Sequence, residues 1–331
     1  MRLFAIIVLL AVSWPVPADE ATRALAAQIE ALETNKSLND EARITQMYDG
    51  LMTLADLPPD AAVEPLLERH AKAGYRLPGF RTDDGHRMAI TTHDTSAAAQ
   101  FALDQWARER GRILAEVALR ARTGAFDFKA SEATLAGYAQ AFAAASDAEL
   151  SVTRSGITAA LADGARVEPL LLILVERLHD ADLAKHLLAQ GDDKLVVHML
   201  PRIADALPAE TALALFTRTT PREGLASALV AQIGRLSGKS RAAHDWLLAR
   251  LGDPALGPSA AAALARTGDP VAVAALADTL HDPNAAGAAR ARAALGLKLA
   301  DTRAAQDALK QFVDDPSSPP ALRTQVSGWL R

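Results

Sequence analysis

The chain has 331 residues, half of them hydrophobic but only 5% aromatic, with 35 basic against 40 acidic side chains and no cysteine. That length is ample for two compact domains or one extended repeat array, and an alanine-rich apolar fraction favours closely spaced helices over a sheet of Val, Ile and Tyr. The missing cysteines exclude disulfides, thiolate metal sites, a cysteine nucleophile and a lipid-modified N-terminal cysteine, and the mild negative charge supplies no global field to gather nucleic acid or anionic lipid.

Arg2, the short apolar run from Leu3 to Val12 and the small residues Val16-Pro17-Ala18 read as an export signal, with cleavage expected between Ala18 and Asp19. The run is about half of the roughly 20 residues a membrane span requires, and Trp14-Pro15 interrupts it. Removing Arg2 leaves 34 basic residues (35 − 1) against 40 acidic ones, a formal charge of −6. The mature product is therefore expected to be periplasmic or secreted, without stable membrane insertion.

Apolar residues then recur at helical spacing, broken by Gly, Pro and Asp clusters, which predicts helices near 20–34, 40–55, 60–73, 97–122, 131–145, 148–162, 167–178, 182–190, 193–206, 209–218, 222–236 and 241–251. Residues 19–74 form an N-terminal helical segment. The segment 75–96 is the longest non-helical stretch, with Asp84-Gly85 as a turn pair between "GFRT" and "HRMAITT"; it reads as a small hairpin or as an irregular joint. The 97–122 helix carries Asp104, Arg108, Arg112, Glu116 and Arg120 at four-residue steps. That spacing suits a solvated ion-pair ladder, with Arg108 and Arg112 as candidates for contact with a partner. Leu170 to Val175 is the one run resembling a buried strand, but Pro169 before it and Glu176-Arg177 after it suit a buried helix.

A repeat occupies the C-terminal third. Asp282-Pro283 recurs 33 residues later as Asp315-Pro316, in register with Leu276 and Leu309 and with Arg290 and Arg323, and Asp253-Pro254 precedes the first pair by 29 residues. Proline cannot continue a preceding helix but fits the first turn of the next, and the aspartate before it can cap that helix. Asp-Pro is thus expected to end one helix and start its neighbour. The stretches "AAAALARTGDPVAVAALADTLHDP" (260–283) and "AARARAALGLKLAD" (288–301) resemble HEAT-like repeats of the phycobilisome-lyase type, best matched over 247–331. The resemblance implies an all-α fold, a right-handed solenoid of stacked helix pairs, extended here over 97–331. It also implies that Asp282 with Arg290, and Asp315 with Arg323, tie adjacent units together, which makes Arg290 and Arg323 further candidates for a partner surface.

No residue pattern announces a reaction. Gly-x-Ser-x-Gly, a phosphate-cradling glycine loop and His-Glu-x-x-His are all missing from the sequence. His179, Asp182 and His186 share a helical face, but His179 matches His281 of the repeat, and a histidine in a last turn favours the helix dipole. His86, His93 and Asp94, with Asp83 and Asp84 nearby, are weak metal-ligand candidates. The acid pairs Asp192-Asp193 and Asp314-Asp315 read as helix-start caps. The expectation is an exported, non-catalytic scaffold or adaptor for a protein or peptide partner in the cell envelope, with no cofactor and no nucleic acid. The alternative is a metal-dependent or hydrolytic enzyme with its site near 75–96.

Overall fold

A computed structural model describes residues 20–84, 86–219, 222 and 224–330; the export signal read at 1–18 lies outside the described residues. Among the described residues the chain is helical almost throughout, with one two-stranded sheet. It falls into two compact units. The described residues up to Val117, with Ala130–Ala141, form the first, and Ala118–Lys129 with the described residues from Phe142 onward form the second.

In the first unit, α1 (Glu20–Thr34), α2 (Asp40–Ala55), α3 (Glu64–Ala73) and the first half of α4 (Thr95–Arg120) share one core. The Asn39 side chain caps α2 by accepting the Ala42 N–H, and α3 begins with proline at its N-terminus, where the missing N–H costs nothing. Ile29, Leu51, Leu54, Leu67, Ala99 and Trp106 are buried together. Because Trp106 of α4 lies in that core, α4 belongs with the N-terminal helices, whereas the sequence had opened the repeat array at residue 97.

The 75–96 segment is a hairpin. Strands β1 (Arg76–Asp83) and β2 (His86–Asp94) pair antiparallel, and Asp84 takes the left-handed φ of 45° at the turn the sequence placed there. The register slips between Leu77 and Pro78, where proline has no N–H for the ladder. At the base, the Tyr75 N–H donates to Thr95 Oγ1 at 2.7 Å and the Thr95 N–H to the Tyr75 carbonyl at 3.0 Å. Asp94 then caps α4 by accepting from the Ser96 and Ala97 N–H groups.

The helix α5 (Glu132–Ala144) crosses the division between the units. The single helix expected over 148–162 is two, α6 (Asp147–Ser151) and α7 (Arg154–Ala162). The Thr153 hydroxyl donates back to the Leu150 carbonyl at 2.8 Å, an alternative to the helical ladder at that point. The Leu170 to Val175 run is a buried helix, inside α8 (Glu168–Leu178). There follow α9 (Ala181–Gln190), α10 (Asp193–Ala206), α11 (Ala209–Arg218), α12 (Ala226–Ser237), α13 (Arg241–Arg250), α14 (Gly257–Arg266), α15 (Pro270–His281), α16 (Gly287–Ala300), α17 (Arg303–Asp314) and α18 (Pro320–Trp329).

Contacts in the second unit follow one rule. From α7 onward each helix touches its sequence neighbour and, as far as α16, the helix after that; α6 joins through α8, so α6, α8, α10, α12, α14, α16 and α18 form one chain of contacts and α7, α9, α11, α13, α15 and α17 another. Polar side chains repeat the pattern. Arg202 of α10 grips both oxygens of Glu176 on α8, Arg235 of α12 reaches Asp205 of α10 at 3.2 Å, and Ser259 of α14 bonds Ser227 of α12. His179 Nδ1 donates to the Ala206 carbonyl and His281 Nε2 to the Ala308 carbonyl, each 27 residues ahead.

The Asp-Pro signals divide into two kinds. Asp269-Pro270 does what the sequence suggested: Asp269 caps α15 through the Val271 N–H, with Pro270 at its first position. Asp253-Pro254, Asp282-Pro283 and Asp315-Pro316 instead open a short turn before the next helix. Asp253 accepts from Ala255 and Leu256, Asp282 from Asn284, and Asp315 from Ser317, while α14, α16 and α18 begin only at Gly257, Gly287 and Pro320. Local side-chain to backbone bonding two residues ahead satisfies each aspartate before a helix can claim it. Of the acid pairs, Asp192 caps α10, but Asp314-Asp315 closes α17 rather than starting a helix.

Candidate functional site

The loop from Asp56 to Ala62 joins α2 to α3 and, with Arg23 of α1 and one face of α4, encloses a cleft of about 930 Å3 within the first unit. Trp106 is buried at its back and spends its indole N–H on the Leu54 and Leu57 carbonyls, both at 3.0 Å, which fixes the loop where it leaves α2. Asp60 is buried and receives Arg23 Nε at 2.8 Å and the Ala62 N–H at 2.8 Å. Burial pushes the Asp60 carboxyl up, but these hydrogen bonds and the Arg23 charge together outweigh it, so the group titrates below the ordinary aspartate value.

Three arginines of α4 meet different fates. Arg110 makes a two-pronged pair with Glu64 of α3, both contacts at 2.9 Å. Arg112 pairs with Glu109 and Glu116 along its own helix, and its hydrogen bond holds Glu109 below the usual glutamate range against an opposing effect of burial. Arg108, half-buried, gives one Nη1 bond to Gln105 Oε1 at 3.3 Å, and its Nε is enclosed without an acceptor. The ladder read from the sequence is thus incomplete at the Asp104–Arg108 step, because Asp104 accepts from Gln100 instead.

The α4 backbone at this point is pinned by α5. A Cβ on Gly137 would stand 2.0 Å from the Arg108 carbonyl oxygen and 2.6 Å from the Arg112 nitrogen, and one on Gly111 would stand 2.4 Å from the Thr134 carbonyl oxygen. Only glycine permits the two helices to approach so closely.

The remaining candidates lie elsewhere. His86 and His93 sit at opposite ends of β2, their backbones roughly 20 Å apart at the rise of an extended strand. His93 packs edge-on against Tyr48 of α2, and Asp94 is spent on its helix cap and on Arg76. Among the described residues no group of three His, Asp or Glu side chains is placed to hold a metal ion. Arg290 donates Nε to the Leu280 carbonyl and lies over the Phe312 ring, and Arg323 reaches the Asp315 and Pro316 carbonyls. Both hold the backbone of their turns rather than the Asp282 or Asp315 carboxylates. The sequence reading missed Arg23, Asp60 and Trp106, which no local spacing connects, and Arg292, which bonds the Leu251 carbonyl at 2.7 Å across 41 residues.

No protein-family model matches the sequence, and comparison with curated proteins finds no match. Among the described residues no helix is long and apolar enough to cross a membrane.

Proposed function

We propose that this protein is an exported, non-catalytic scaffold or adaptor whose second unit is a HEAT-like α-solenoid, binding a protein or peptide partner of the cell envelope along its stacked helix pairs. The observation that carries the reading is the contact pattern of the second unit, in which adjacent helices touch from α7 to α18 and alternate helices touch from α6 to α18. Such units bury their apolar faces only against each other and leave an extended surface for a partner. The inter-helix bonds of Arg202, Arg235 and Ser259 extend the pattern upstream of residue 247, where the repeat in the sequence fades.

Photo-crosslinking tests the reading. The exposed Leu195 of α10 and Leu299 of α16 belong to one row of helices, and Val271 of α15 and Lys185 of α9 to the other. A photoreactive residue at each position, irradiated in an envelope extract, is expected to give a discrete adduct from one row and not the other. Adducts from neither row, or an indiscriminate smear from all four positions, would refute the adaptor.

A further inference from the structure

Of the three arginines that line the cleft, Arg108 is the one without a carboxylate partner among the described residues. Arg23 and Arg110 line the same cleft but are neutralised by Asp60 and Glu64, whereas no carboxylate among the described residues pairs with Arg108. Its neutral contact to Gln105 is long, and its Nε lacks an acceptor altogether. A half-buried guanidinium ordinarily meets an anion, because removing charge from water without a counter-ion is costly. The side chain also stands on a rigid base, since α5 abuts the Arg108 carbonyl through Gly137.

We propose that this cleft binds a short peptide segment, anchored by a carboxylate on Arg108. At about 930 Å3 the cleft lies near the upper end of small-ligand sites, room for several residues rather than one. Its walls suit a peptide. Half-buried Leu57, Pro59 and Ile113 offer apolar surface, and Asp56, which has no cationic partner among the described residues, is an acceptor for a ligand N–H. Pro59 and the already committed Trp106 indole add no competing donor. A polyanion is disfavoured, because Asp56, Asp60 and Glu109 line the same space. The carboxylate is supplied by a chain terminus or by an Asp or Glu side chain, which share one recognition chemistry. The inference names a ligand for the first unit and does not rest on the helix rows of the second.

The test uses the mature chain and four acetylated peptides, Ala-Leu-Ala-Glu and Ala-Leu-Ala-Gln, each as free acid and as amide, with binding followed by calorimetry. The three peptides bearing a carboxylate are expected to bind about tenfold or more tightly than the doubly neutral one, the scale of a charge-assisted hydrogen bond. Arg108→Gln is expected to abolish that discrimination while leaving the melting temperature within a few degrees, and Arg108→Lys, which keeps the charge, to retain part of it. If Arg108→Gln does not fold, the lysine variant and the four-peptide comparison on the native chain decide. Equal binding of all four peptides, binding of none at millimolar concentration, or discrimination that survives in Arg108→Gln would overturn the proposal. Because crosslinking reads the second unit and calorimetry the first, failure of one leaves the other standing.

Discussion

Asp60 titrates low although it is buried, because Arg23 and the Ala62 N–H hold its charged form. Asp60→Ala is expected to destabilise the first unit by about 1–3 kcal/mol, the cost of deleting one member of a buried hydrogen-bonded pair, read as a lowered urea midpoint. Since the folded value lies below the unfolded 3.8, this contribution is complete above that pH and is lost as pH falls through the folded value. His70 behaves differently. It is buried beside Glu33 and Arg69, with Nε2 2.9 Å from Glu33 Oε1. Burial, helped by the Arg69 charge and opposed by Glu33, drives its pKa below 6.5. The unfolded chain therefore takes the proton first: stability is full above pH 6.5 and declines as pH falls towards the folded value. Urea midpoints between pH 7.5 and 5.5 should fall for the native chain more steeply than for His70→Gln; equal slopes would remove this role. Neither residue was legible beforehand, because Asp60 meets Arg23 and His70 meets Glu33 across 37 residues of sequence, beyond any local pattern.

The crossing of α4 and α5 turns on two glycines. Gly137→Ala places a methyl against backbone atoms that cannot move aside, so overpacking of about 1–3 kcal/mol outweighs the helix propensity that alanine gains, about 1 kcal/mol. Gly328 in α18 has open space around its Cβ position, and Gly328→Ala is expected to be neutral or stabilising by a few tenths of a kcal/mol. Melting temperatures of the two variants should move in opposite directions or, at the least, differ by several degrees. Most helices were legible from spacing and punctuation: α1, α2, α10 and α11 start and stop where the pattern put them. The failures have a common cause. Thr153 and the three turn-opening aspartates satisfy their oxygens or hydroxyls on nearby backbone, a choice that hydrophobic periodicity does not record.

Across the whole chain, the all-helical class followed from composition, while the division between units did not, because it depends on Trp106 packing with residues some fifty positions earlier. The candidate cleft was equally invisible: Arg108 was marked by its spacing on α4, but its lack of a carboxylate partner among the described residues emerges only when Asp104 turns to Gln100. In the second unit each helix pair leans on the next, so stability is expected to be roughly a sum of local and nearest-neighbour terms. Ending the chain at Ala300, which removes α17 and α18, tests this most directly. Circular dichroism of the shortened protein is expected to keep the helical signal of the remaining helices and a cooperative melt, displaced downward by some degrees. Collapse of the entire second unit to an unfolded spectrum would contradict it.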